Sequence, residues 1–196
     1  MTALTRPAQL RTEPVSYFGF WVYLMTDCVI FACLFATYAV LHRHTNGGVG
    51  PATLFSLPYV LAETLLLLTS SYTAGLALLA ARAGSRQVVA GWLVLTSALG
   101  LAFLGMELTE FSQLVADGNG WDRSAFLSAF FTLVGTHGLH ILIGLVWLGV
   151  LGLSLFKRGL TPVNVRRLGL FTLFWHFLDV IWIFIFTFVY LLGATT

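Results

Sequence analysis

Three pairs of polar residues recur at i,i+3 in apolar surroundings: Glu107/Glu110, His137/His140 and His176/Asp179. That spacing puts both members of a pair on one helix face. Asp27 and Glu63 stand singly in similar surroundings. Patterns of the type H-x-x-H, H-x-x-D and E-x-x-E can chelate a metal, and carboxylate–imidazole sets on facing helices build di-iron sites. Di-iron bundles, however, use Glu-x-x-His twice, and this chain has no such pair. It also lacks the long histidine spacing on one helix that would stack two haems across a bilayer. Two other chemistries fit the same residues. They can form a proton pathway or an ion-coupled transport site, or they can lock helices together by hydrogen bonds.

The elements that must position these residues follow from composition. Of 196 residues, 58% are apolar and only 9% charged, against about 25% charged in soluble domains. This excludes a disordered chain, a nucleic-acid binder and a water-soluble globule. Five apolar segments, at about 17–41, 58–81, 88–111, 124–156 and 168–192, each exceed the ~20 residues a helix needs to cross a bilayer. The shorter alternating strands of a β-barrel are absent from the pattern. The expected fold is therefore all-α, a five-transmembrane-helix bundle in a polytopic membrane protein. Residues 1–16 form an amino-terminal segment and residues 17–196 one membrane domain. The long fourth segment must tilt or project beyond the bilayer. Asn46-Gly47-Gly48 with Pro51, Gly84-Ser85, Asp117-Gly118-Asn119-Gly120, and Gly159 with Pro162 mark the turns. No internal repeat appears, and the loops are too short for a soluble domain. The first apolar run is of span length with no cleavage pattern, so it is expected to stay as a helix.

Arginine and lysine placement sets the orientation. Arg6, Arg11, Arg82, Arg86, Lys157, Arg158, Arg166 and Arg167 lie on one side of such a bundle, and only Arg43 and Arg123 on the other. The amino terminus is thus expected in the cytoplasm and the carboxyl terminus outside. Lys157, Arg158, Arg166 and Arg167 are candidate contacts for anionic lipid headgroups, or simply set topology. No basic residue lies within a span, yet five of the eight acids do. An Asp at mid-bilayer costs about 2.5–3.5 kcal/mol on insertion scales, so such residues face protein or a cavity. Rise arithmetic places Asp27 and Asp179 at ~15 and ~16 Å from the cytoplasmic ends of their helices. Asp27, His137, His140, His176 and Asp179 can then meet in one layer. Glu63, Glu107 and Glu110 would form a second cluster nearer the outer surface. Asp27 could relay a proton or donate a hydrogen bond as a neutral acid, and spacing does not separate the two.

Several further features complete the reading. Phe174, Trp175, Phe177, Trp182, Phe184 and Phe186 crowd the fifth helix, as lipid-facing and packing residues or as the lining of a pocket. Ala32/Ala36, Ser71/Gly75 and Ala98/Ala102 offer close-packing faces. Cys28 and Cys33, five apart on one helix, are expected as free thiols. There is no phosphate loop, G-x-S-x-G elbow or C-x-x-C. An intramembrane hydrolase built on Ser71 would need a histidine partner and oxyanion donors that the sequence does not place.

The strings GFWVYLMTDCVIFACLFATYAVL, FLGMELTEF, AFFTLVGTHGLHILIGLVW and LFWHFLDVIWIFIFTFVYLLG resemble subunit III of the haem–copper terminal oxidases. The likeness runs from about Tyr17 to Gly193. The first helix and the five-helix length are most similar to the ubiquinol oxidase (cytochrome o) branch. The resemblance implies a subunit of a proton-translocating oxidoreductase complex of the bacterial inner membrane. The chain itself would carry no catalytic residue, metal, haem or other cofactor, the haems and copper belonging to subunit I. Implied partners are subunits I and II, a small subunit IV and phospholipids. Implied roles are assembly, preservation of the active site through turnover and assistance to proton uptake. Asp27 falls where the cytochrome c oxidase branch has a buried, carbodiimide-reactive Glu, one methylene longer. Relatives with seven helices have two amino-terminal ones forming a wall of a lipid-filled cleft, which this chain lacks. The alternatives are a five-helix cytochrome c oxidase subunit III and an autonomous proton-coupled transporter. The latter is disfavoured by the absence of repeats and broken helices.

Overall fold

The computed structural model describes residues 9–48, 50 and 56–193, with side chains from residue 17 onward. Arg6 and Pro51 lie outside the described residues, as does the side chain of Arg11. Five helices follow one another: α1 (Gln9–Leu41), α2 (Leu57–Arg82), α3 (Arg86–Ala116), α4 (Ala125–Arg158) and α5 (Pro162–Ile185). A π-helical stretch, Phe186–Leu191, continues α5. Each of the five is long and apolar enough to cross a membrane, and no strand occurs among the described residues. This is the expected five-helix membrane bundle.

Helix ends are set by caps rather than by where apolarity stops. α3 runs past residue 111 to Ala116 and ends at Asp117-Gly118, where Gly118 takes φ 75°. α5 starts six residues before the apolar run, at Pro162. Thr161 caps it by accepting from the Asn164 amide, and proline suits a first turn that needs no donor there. Ser124 caps α4 in the same way through Leu127 N. The helix α1 reaches back to Gln9, eight residues before its apolar run.

Asn164 ties the α4–α5 turn together and is fully buried. Ser154 Oγ donates to its Oδ1 at 3.0 Å, and its Nδ2 donates to the Gly159 carbonyl at 2.8 Å. Replacing it removes a donor and an acceptor from a buried turn. Asn164→Ala is expected to lower stability by about 1–3 kcal/mol, read as a lower thermal midpoint of the detergent-solubilised protein. An unchanged midpoint would show that water replaces both bonds.

Packing places α5 at the centre. It touches α1, α2 and α4, while α2 and α3 form an antiparallel hairpin through Gly84 and α1 rests on α4 and α5. α5 is the most buried span and α1 the least. The aromatics of α5 accordingly divide. Phe174, Trp175 and Trp182 are core, Phe177 and Phe186 half-buried, and Phe184 exposed. The expected small-residue faces divide too. Ser71/Gly75 faces α5, whereas Ala32, Ala36, Ala98 and Ala102 are exposed. The tight approach on α3 lies instead at Gly100, which together with Gly144 of α4 flanks the Trp175 indole. Cys28 and Cys33 are free thiols.

Candidate functional site

The expected layer of Asp27, His137, His140, His176 and Asp179 divides into two groups with different partners, while the three glutamates stay together. On the α1–α4 side, Asp27 Oδ2 lies 3.9 Å from His140 Nε2. That is an electrostatic contact, too long for a hydrogen bond. His140 Nδ1 is 2.7 Å from the Thr136 carbonyl. A carbonyl only accepts, so Nδ1 carries the proton and, in a neutral ring, Nε2 faces the acid as an acceptor. Phe31 covers this pair, its ring 5.3 Å from that of His140.

One turn along α4, His137 is fully buried in an aromatic cage. Its ring stacks on Trp182 at 5.2 Å and meets the edge of Phe103 at 6.0 Å. Neither ring nitrogen has a hydrogen-bond partner. The next residue, Gly138, makes room for α3: a methyl there would lie 2.5 Å from Glu107 Oε1. Glu107 thus seats its carboxyl on the α4 backbone. It is within electrostatic reach of Glu63 and Glu110, so these three do form the expected cluster. Both Glu63 oxygens and Glu107 Oε2 lack partners, whereas Glu110 Oε2 accepts from the Tyr190 hydroxyl at 2.9 Å. Tyr190 is buried by the π-helical turn that ends α5, and π turns of this kind concentrate at functional positions.

The second group lies on the α2–α5 side. The Ser71 hydroxyl bonds His176 Nδ1 and also reaches the Asp179 carboxyl. His176 is exposed on the bundle's outer face and Asp179 is buried, with Oδ1 unpaired. His176 and Asp179 therefore pair across to α2 rather than joining Asp27 and His140. Ser71 does have a histidine partner, which the sequence could not place. The serine nevertheless stands between acid and imidazole, the wrong order for a nucleophile–base–acid relay. Among the described residues, no group of three or more His, Cys, Asp or Glu is arranged to hold a metal ion.

At the basic end, Lys157 and Arg158 close α4, Arg166 is half-buried and Arg167 exposed. Arg86 donates to the Phe156 carbonyl and lies over its ring at 5.9 Å. The residues that sequence reasoning missed are those that hold the site in place: Gly138 under Glu107, Gly100 and Gly144 around Trp175, Thr64 accepting from Trp182 Nε1 at 3.0 Å, and Tyr190 on Glu110. Only Gly138 carried a local signal, lying between the two histidines of the THGLH string.

A family model described as cytochrome c oxidase subunit III matches residues 11–194. The chain belongs to that family. As one of its subunits III, it is a multi-pass membrane part of an oxidase complex that other subunits complete. Among its relatives, the cytochrome bo(3) ubiquinol oxidase subunit 3 of Pseudomonas aeruginosa is 58% identical over 177 residues, covering 90% of this chain and 85% of that one. The quinol oxidase subunit 3 of Bacillus subtilis is 46% identical over 185 residues, 94% of this chain and 91% of that one. The cytochrome c oxidase subunit 3 of Bacillus sp. PS3 is 45% identical over 198 residues, 98% of this chain and 96% of that one.

Proposed function

We propose that the chain is the non-redox subunit III of a proton-pumping haem–copper ubiquinol oxidase, in which quinol oxidation drives reduction of oxygen to water. The observation that carries the quinol branch is the 58% identity, over nine-tenths of the chain, to a subunit named for a ubiquinol oxidase. The site geometry is in keeping with a supporting part: buried acids and histidines connect helices to one another. In this reading the haems and copper sit in subunit I, this chain holds no cofactor, and subunits I, II and a small subunit IV surround it in a bacterial inner membrane. The amino terminus lies in the cytoplasm, supported by the eight-to-two distribution of basic residues. Lys157, Arg158, Arg166 and Arg167 then meet anionic lipid at the cytoplasmic surface. The PS3 relative favours a second reading, a cytochrome c oxidase with the same subunit III. Purifying the complex through a tag on this chain tests both. Haem-bearing partners that oxidise ubiquinol support the proposal, oxidation of cytochrome c instead supports the second reading, and a haem-free chain refutes both.

Asp27, buried in the first helix beside His140, is assigned a part in supplying protons to the complex. Asp27→Asn keeps the size of the side chain and removes its ability to ionise. The variant is expected to assemble with full haem content and to show a lower proton stoichiometry or a shorter active lifetime. Turnover, stoichiometry and lifetime all equal to wild type would remove a proton role from this residue.

A further inference from the structure

At the basic end of the bundle a cavity of about 370 Å³ opens where α1, α2 and the start of α5 meet. Leu78 and Ala81 of α2 and Val165 of α5 give it apolar walls. Arg82, the last residue of α2, and Arg166, in the second turn of α5, both line it. Tyr17 forms a further side, its hydroxyl packed on Gly169. Among the described residues the one close acid–base pair is Asp27–His140. Both arginines therefore line one cavity, and no carboxylate of the described residues is paired with either. Two like charges in that setting attract an anion, and the guanidinium fork matches phosphate oxygens in a bidentate way.

The walls decide which phosphate. A soluble phosphate would answer the charges and leave the apolar walls against water. A lipid with a charged headgroup and glyceride chains answers both, and the cavity lies at the end of the spans, where headgroups sit. We propose that Arg82 and Arg166 hold the headgroup phosphate of one anionic phospholipid, with its upper chain segments against Leu78, Ala81 and Val165. This deepens the lipid-binding part of the proposed function. It moves the headgroup site from the α4–α5 loop to a built cavity, and it brings in Arg82, which the loop alone does not suggest.

The test counts phospholipid retained by the intact complex through a delipidating detergent wash and re-addition, using native mass spectrometry. Wild-type complex offered phosphatidylglycerol or phosphatidylcholine is expected to retain the former and release the latter. Inorganic phosphate should not displace it. Arg82→Gln and Arg166→Gln are each expected to weaken retention by about tenfold, the scale of one charge-assisted bond. Val165→Trp, which fills the cavity and keeps both charges, should lose the lipid as well. Lys157→Gln with Arg158→Gln should not. Equal retention of both lipids by wild type, displacement by inorganic phosphate, or full retention in Arg82→Gln/Arg166→Gln overturns the proposal. Loss confined to the Lys157/Arg158 variant also overturns it while leaving lipid binding at the loop intact. A chain that sheds its haem-bearing partners refutes the subunit reading separately, because lipid is still counted on the chain itself.

Discussion

Gly144→Val is expected to destabilise the bundle by about 3 kcal/mol, the upper end of what overpacking costs. It should appear as loss of this subunit from the solubilised complex at a temperature the wild type survives. A single methyl at position 144 would already lie 2.6 Å from Trp175 Cζ3 and 3.2 Å from Phe174 Cε1. Trp175 cannot retreat, because on its other side Gly100 leaves only 3.0 Å between a Cβ and Cζ2. The indole is pinned further by its Nε1 donating to Ser70 Oγ at 3.1 Å. The branched valine must therefore push α4 away from α5, breaking the packing that holds the central helix. Van der Waals fit matters here because helices in hydrocarbon gain little from burying apolar surface against each other. Gly149→Ala on the same helix is the control. Its methyl meets nothing within 4 Å, and alanine favours the helix, so stability should hold or rise slightly. If the two variants behaved alike, the Trp175 notch would be looser than its geometry implies.

Trp182→Ala is expected to cost about 3 kcal/mol, the low end for truncating a buried aromatic, because surrounding hydrocarbon removes part of the transfer contribution. Trp182 joins α5 to α2, α3 and α4. Its Nε1 donates to Thr64 of α2, its ring meets Phe103 of α3 edge-on at 4.7 Å, and it stacks on His137 of α4. Tyr190, the partner of Glu110, lies 6.1 Å away. Removal would free the His137 ring, so the damage should extend to the Glu110–Tyr190 contact. The measurement is the thermal midpoint of the purified complex, followed by haem-linked activity after heating. Val180→Ala, on the exposed side of the same helix, should change the stability of the bundle by no more than about 0.5 kcal/mol. An equally small effect from Trp182→Ala would mean that the cage around His137 closes without the indole.

The pairing of polar residues was legible only in part. Spacing on one helix gives the face, so Glu107 with Glu110 could be read directly, and helix rise brought Asp27 level with His140. Which helix stands opposite depends on rotation about each axis, and sequence period does not report that. Hence His176 and Asp179 turn to Ser71 of α2 rather than to Asp27. Ala98 and Ala102 look like a packing face and are exposed, while the isolated Gly100 and Gly144 make the close contact. Small residues show where a helix can be approached, and only the neighbour's large side chain decides where it is.

The sequence by itself determined that this is a five-helix membrane protein, which of its ends is basic, and which acids and histidines the bilayer forces inward. All of these follow from the free energy of moving single side chains between water and hydrocarbon, a property each residue carries with it. The strings along four of the helices were specific enough to indicate the family. Tertiary structure alone decided the partners. Glu107 lies on Gly138, Trp175 lies between two glycines, Tyr190 reaches Glu110 through a π-helical turn, and Arg82 shares a cavity with Arg166. These contacts depend on how five helices rotate and cross, and that arrangement is fixed by the fit of all the side chains together.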